Sequence, residues 1–102
     1  MTLDFFFSSY DLNELEYNNI YIKDNKLYLD VNLPAHLDLI ANGYRPMLDL
    51  KVNKAFIFNV NYNDYIFNKP YYVKLIEKLD DSYKLEISGI IINISNQMID
   101  IK

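Results

Sequence analysis

The sequence predicts an all-β fold: an antiparallel sandwich or flattened barrel of six or seven strands, with one short helix near residues 34–42. Three observations point there. Apolar residues recur at every second position through most of the chain, the period of a strand with one buried face. Polar dipeptides of the kind that close hairpins separate these runs. Only one stretch combines helical spacing with helix end signals, which leaves no room for the crossover helices of a parallel sheet.

The N-terminal stretch Leu3–Leu15 fits two readings, since Phe5–Phe6–Phe7 suits either a buried strand or the apolar face of a short helix. From Asn19 to Leu33 the pattern is plainer. Ile20 and Ile22 precede Asp24–Asn25, and Leu27, Leu29, Val31 and Leu33 follow it. Asp and Asn tolerate positive φ, so a two-residue turn there pairs Ile22 with Leu27, Ile20 with Leu29 and Tyr21 with Tyr28. The apolar side chains then share one face and the two tyrosines meet on the other. Over Pro34–Gly43, Pro34 suits a first helical position, Leu37, Ile40 and Ala41 make a short stripe, and Gly43 stands where a left-handed cap belongs.

Leu48, Leu50, Val52, Phe56, Phe58, Val60 and Tyr62 keep even parity, interrupted at Lys54, which predicts one long bent strand. Asn61–Lys69 reads as a polar loop closed by Pro70. Residues 71–79 alternate as a strand but also carry a helical stripe (Tyr72, Leu75, Ile76, Leu79), and the hairpin that follows favours the strand. Asp80–Asp81–Ser82 is a turn, and Tyr83, Leu85 and Ile87 form the next strand. At Gly89 the apolar parity switches to Ile90, Ile92 and Ile94, which predicts a β-bulge. A turn at Asn96–Gln97 would pair Ile94 with Ile99 and Ile92 with Ile101. No linker or repeat divides the chain, so residues 1–102 are expected to be a single domain.

Composition narrows the chemistry. Cysteine is absent, which removes disulfides, thiolate metal sites and cysteine nucleophiles. No apolar run reaches the ~20 residues of a membrane-spanning helix. Met1 is followed by Thr2, Leu3 and Asp4 rather than a basic region, so a cytoplasmic setting is expected. Ten basic residues against fourteen acidic ones, with Arg45 the sole arginine, argue against direct nucleic-acid binding. Heavy use of Ile, Asn and Tyr follows AT-rich codons and points to a bacterial or phage genome.

Catalytic groups are scarce. His36 is the single histidine, so triads, dyads and histidine metal clusters lack partners. Asp30 and Asp49 on strands, and Glu77 facing Glu86 across a hairpin, are the carboxylates available for acid–base work, all at solvent-side positions. Two glycines, Gly43 and Gly89, cannot build a phosphate cradle. These observations predict a protein that is not an enzyme and uses no cofactor or metal. Interaction residues are easier to find. Tyr44 and Arg45 lie in a loop restrained by Gly43 and Pro46, and Tyr and Arg are enriched in interface hot spots. Tyr21 and Tyr28, with Tyr72 as a third candidate, fit either an outward aromatic set that marks a partner site or the inside of a second sheet, and His36 is a further contact candidate.

The run Ile20-Tyr-Ile-Lys-Asp-Asn-Lys-Leu-Tyr-Leu-Asp-Val31, then Leu48-Asp-Leu-Lys-Val52 leading into Phe56-Ile-Phe58, then Tyr83-Lys-Leu-Glu-Ile87 and the closing isoleucine-rich hairpin resembles the small bacterial immunity-type β proteins encoded beside polymorphic toxins. The resemblance spans roughly residues 15–101. It implies a cytoplasmic, non-catalytic inhibitor that occludes a protein partner, such as a basic toxin or nuclease or a defence enzyme. An acidic chain suits that partner, because complementary potentials raise encounter rates. The alternative is a phage or cell-surface assembly subunit that forms a homo-oligomer through a sheet edge. Ile90–Ile94 and Ile99–Ile101 would be an aggregation hazard if left uncovered.

Overall fold

A computed structural model describes residues 1–34 and 51–102. One helix, α1 (Leu3–Ser9), precedes eight strands among the described residues: β1 (Glu16–Lys23), β2 (Lys26–Pro34), β3 (Lys51–Asn59), β4 (Tyr65–Ile66), β5 (Val73–Lys78), β6 (Ser82–Ile87), β7 (Ile90–Ser95) and β8 (Asp100–Ile101). They form two antiparallel sheets, β4-β1-β2-β3-β8 and β5-β6-β7, with one core between them. The all-β prediction holds. The strand that the alternation does not anticipate is β4, whose two residues are too short to leave an alternating signature.

The N-terminal ambiguity resolves as helix. Thr2 caps α1, its Oγ1 accepting the Phe5 N–H at 3.1 Å, and Asp4 lies in the first turn, where a carboxylate meets the positive helix end. Leu3, Phe6, Phe7 and Tyr10 fall at helical spacing, and Leu3, Phe6 and Tyr10 are buried. Phe5, pointing the other way, is exposed.

The first hairpin closes at Asp24–Asn25, both with positive φ (52° and 58°), and pairs Ile22 with Leu27, Ile20 with Leu29 and Tyr21 with Tyr28. Pro34 corrects the helix expected over 34–42. It is the last residue of β2, opposite Lys51. β1 reaches only to Asn32 on the other side, so a residue without an N–H costs no ladder bond there. The remainder of that expected helix lies outside the described residues, as do Leu48, Asp49 and Leu50. The long even-parity strand is observed as β3, in which Phe56 and Phe58 are buried on the core face. Past Asn59 the chain leaves the sheet, and Val60 and Tyr62 still pack against the core.

The polar loop after β3 is more than a loop. Tyr65 and Ile66 form the edge strand β4 beside Ile22 and Tyr21, and Phe67 is buried. Residues 73–78 are strand, as the following hairpin required, with an irregularity that inserts Ile76 between Leu75 and Glu77. Gly89 is not a bulge. Ser88 (φ 47°) and Gly89 (φ 87°) are the turn of the β6–β7 hairpin, which pairs Ile87 with Ile90. A two-residue turn necessarily pairs odd positions with even ones, so the parity switch is the mark of the turn itself.

The expected turn at Asn96–Gln97 is also corrected. The chain does not fold back on β7. It crosses to the other sheet, where β8 pairs Ile101 with Phe56 and Asp100 with Ile57. Gln97 anchors the crossing: its Oε1 accepts the Asn59 N–H at 2.6 Å and its Nε2 donates to the Asn59 carbonyl at 2.9 Å. Ile99 donates its N–H to the Met1 carbonyl, and Ile92, Ile94 and Ile99 are buried.

Candidate functional site

The site is built on the face of the five-stranded sheet that points away from the three-stranded one. Strand alternation sends Ile20, Ile22, Leu27, Leu29 and Val31 into the core, so Tyr21, Tyr28 and Asp30 must point outward. Cross-strand register then sets Ile66, Tyr21, Tyr28, Ile57 and Asp100 in one row across β4, β1, β2, β3 and β8. The Tyr21 and Tyr28 rings stack with centroids 4.7 Å apart and planes 13° from parallel. Ile66 beside them is 76% exposed. Asn19, Tyr21, Lys23, Asp64 and Ile66 contribute to a shallow hollow of about 590 Å³ at this edge.

Asp30 lies in the next row, opposite Asn19 and Ala55. Its Oδ1 is enclosed and accepts no hydrogen bond. Partial burial, then the neighbouring Tyr28 and Asp30, push the Tyr21 phenol above its ordinary range, so it stays a neutral hydrogen-bond donor. Further along the face Asn32 is the hub of an amide ladder. It exchanges hydrogen bonds with Asn18 (3.0 and 3.2 Å) and accepts one from Asn53 (3.4 Å). Lys51 and Asn32 both donate to Glu16 and hold its carboxyl below the usual range, with the Lys51 bond first in importance.

Of the sequence-predicted contact residues, the structure brings Tyr21 and Tyr28 together. Tyr72 is exposed but lies just before β5 of the other sheet, beside the Ser88–Gly89 turn, where its carbonyl accepts the Ser88 N–H. His36, Tyr44 and Arg45 lie outside the described residues. The carboxylate pairing expected for Glu77 and Glu86 does not occur. The inserted Ile76 shifts the register, so Glu77 stands opposite Lys84 and Glu86 opposite Lys74.

Ile66 and the amide ladder were not legible as site residues. Ile66 sits in an asparagine-rich stretch without alternation, and the ladder depends on the irregularity between Tyr17 and Asn19 that frees Asn18. Among the described residues no helix is long and apolar enough to cross a membrane. Chemically the face offers a flat aromatic surface, an exposed aliphatic side chain, and amide donors and acceptors. Set against protein-family models, curated proteins and solved structures, the chain matches none of them.

Proposed function

We propose that the protein is a non-catalytic, cytoplasmic binding protein that occludes a protein partner carrying a basic surface, as an immunity protein or an inhibitor of a defence enzyme would. One observation carries this reading. The stacked Tyr21–Tyr28 pair is held away from the core beside exposed Ile66. Tyrosines give large contact area at small entropic cost, and their hydroxyls supply directional bonds. The formal net charge of −4 favours an encounter with a basic partner. Tyr44, Arg45 and His36 are assigned to the same partner from the sequence alone.

The test is capture from the native host with wild-type protein and with the Tyr21→Ala/Tyr28→Ala double variant, both checked for an intact fold by circular dichroism. A basic protein should be retained by the wild type. Its affinity for the variant should fall by about 2 kcal/mol or more. Equal affinity for both proteins would remove this face from the reading.

A further inference from the structure

We propose that β5 is a self-complementary docking edge, through which two copies of the chain pair antiparallel about a two-fold axis normal to the three-stranded sheet. The inference is independent of the tyrosine face, which lies on the other sheet. β5 ends the order β5-β6-β7 and has no strand on its outer side among the described residues. Leu75 and Ile76 are 38% and 43% exposed there, and Lys74, Glu77 and Lys78 are exposed with them. An open edge of this kind presents backbone donors and acceptors to any incoming strand.

The irregularity in β5 decides which strand fits. Residues 74 and 77, an odd number of positions apart, would face opposite sides of a regular strand. Inserting Ile76 puts them on one face, Lys74 opposite Glu86 and Glu77 opposite Lys84, the latter pair 3.9 Å apart. A two-fold axis through the insertion then sets Lys74 against Glu77 of the second copy and Glu77 against its Lys74. Leu75 and Ile76 meet Ile76 and Leu75 of that copy. Charge alternates along the whole row: Lys84, Glu77, then the second copy's Lys74 and its Glu86. The same row repeats in the other direction. A shift of one residue in either direction would break both charge pairs and set β5 side chains of opposite faces together, so the bulge selects one register while disfavouring regular strands. Six residues a side make a small interface, which gives a concentration-dependent rather than an obligate dimer.

Sedimentation of the full chain over a concentration series tests this, using the wild type, Lys74→Glu and Glu77→Lys, each verified as folded by circular dichroism. The wild type should dimerise. Each single reversal places like charges opposite each other twice and should raise the dissociation constant by at least about tenfold. An equimolar mixture of the two variants regains both charge pairs and should dimerise within a few-fold of the wild type. Added salt should weaken the wild-type dimer and partly rescue the single variants. The proposal is overturned by a wild-type monomer at its highest soluble concentration, whether or not a foreign strand occupies the edge. It is equally overturned by a dimer that both reversals leave intact, or by a mixture that associates no better than its components.

Discussion

Tyr17 couples the turn before β1 to the strand itself. Its hydroxyl donates to the Leu12 carbonyl at 2.7 Å, and burial, followed by the nearby Asp11 charge, raises its phenol far above the ordinary range. Because the folded-state pKa is the higher one, this contribution is complete below the unfolded value of about 10 and is lost as pH rises beyond it. Tyr17→Phe should therefore cost about 1 kcal/mol at neutral pH and make the alkaline loss of stability shallower. Urea unfolding of both proteins at neutral and alkaline pH checks this, and equal slopes would clear Tyr17 of the alkaline transition. Gly89 carries a different constraint. A Cβ there would meet only the Tyr72 hydroxyl at 3.7 Å, an ordinary contact, but φ is 87°. Gly89→Ala should cost about 1 kcal/mol through backbone strain alone, read as a lower denaturation midpoint at unchanged m-value.

At the scale of elements, hairpins and crossings obey different rules. The β1–β2 and β6–β7 hairpins are local, and each is specified by a positive-φ dipeptide and the apolar residues on either side. The crossing from β7 to β8 has no such code. It depends on Gln97 imitating a strand backbone toward Asn59, after which Lys102 and Ala55 exchange backbone hydrogen bonds. Gln97→Ala removes both bonds to Asn59, and the one to the Ser95 carbonyl, at once. It should cost about 1–2 kcal/mol and speed amide exchange at Asn59, Ala55 and Lys102 while leaving β5–β7 protected. Uniform acceleration across both sheets would mean that β8 is not a separable unit.

For the whole molecule, α1 is the wedge between the layers. Phe6 packs edge-on against Phe56 and Phe58 of one sheet (4.9 and 5.4 Å between centroids), and Phe7 lies 4.7 Å from Tyr83 of the other. Phe6 is fully buried, so Phe6→Ala should cost about 3–5 kcal/mol, a large share of the ~5–15 kcal/mol that stabilises a domain. Thermal unfolding measures it, and a loss below about 1 kcal/mol would mean that the sheets close without the wedge.

Alternation of oily and polar side chains determined, from the sequence alone, that the chain is β-rich, where its first hairpin turns, and that Tyr21 meets Tyr28. Those features are local, since two neighbouring runs and the dipeptide between them contain all the geometry required. Tertiary structure decided the rest. Which sheet receives Ile101, why Ile66 becomes an edge strand, and how Ile76 turns Glu77 toward Lys84 all depend on segments distant in the chain competing for the same unpaired backbone groups. A period of two records which face a side chain takes. It carries no information on which strand will be its neighbour.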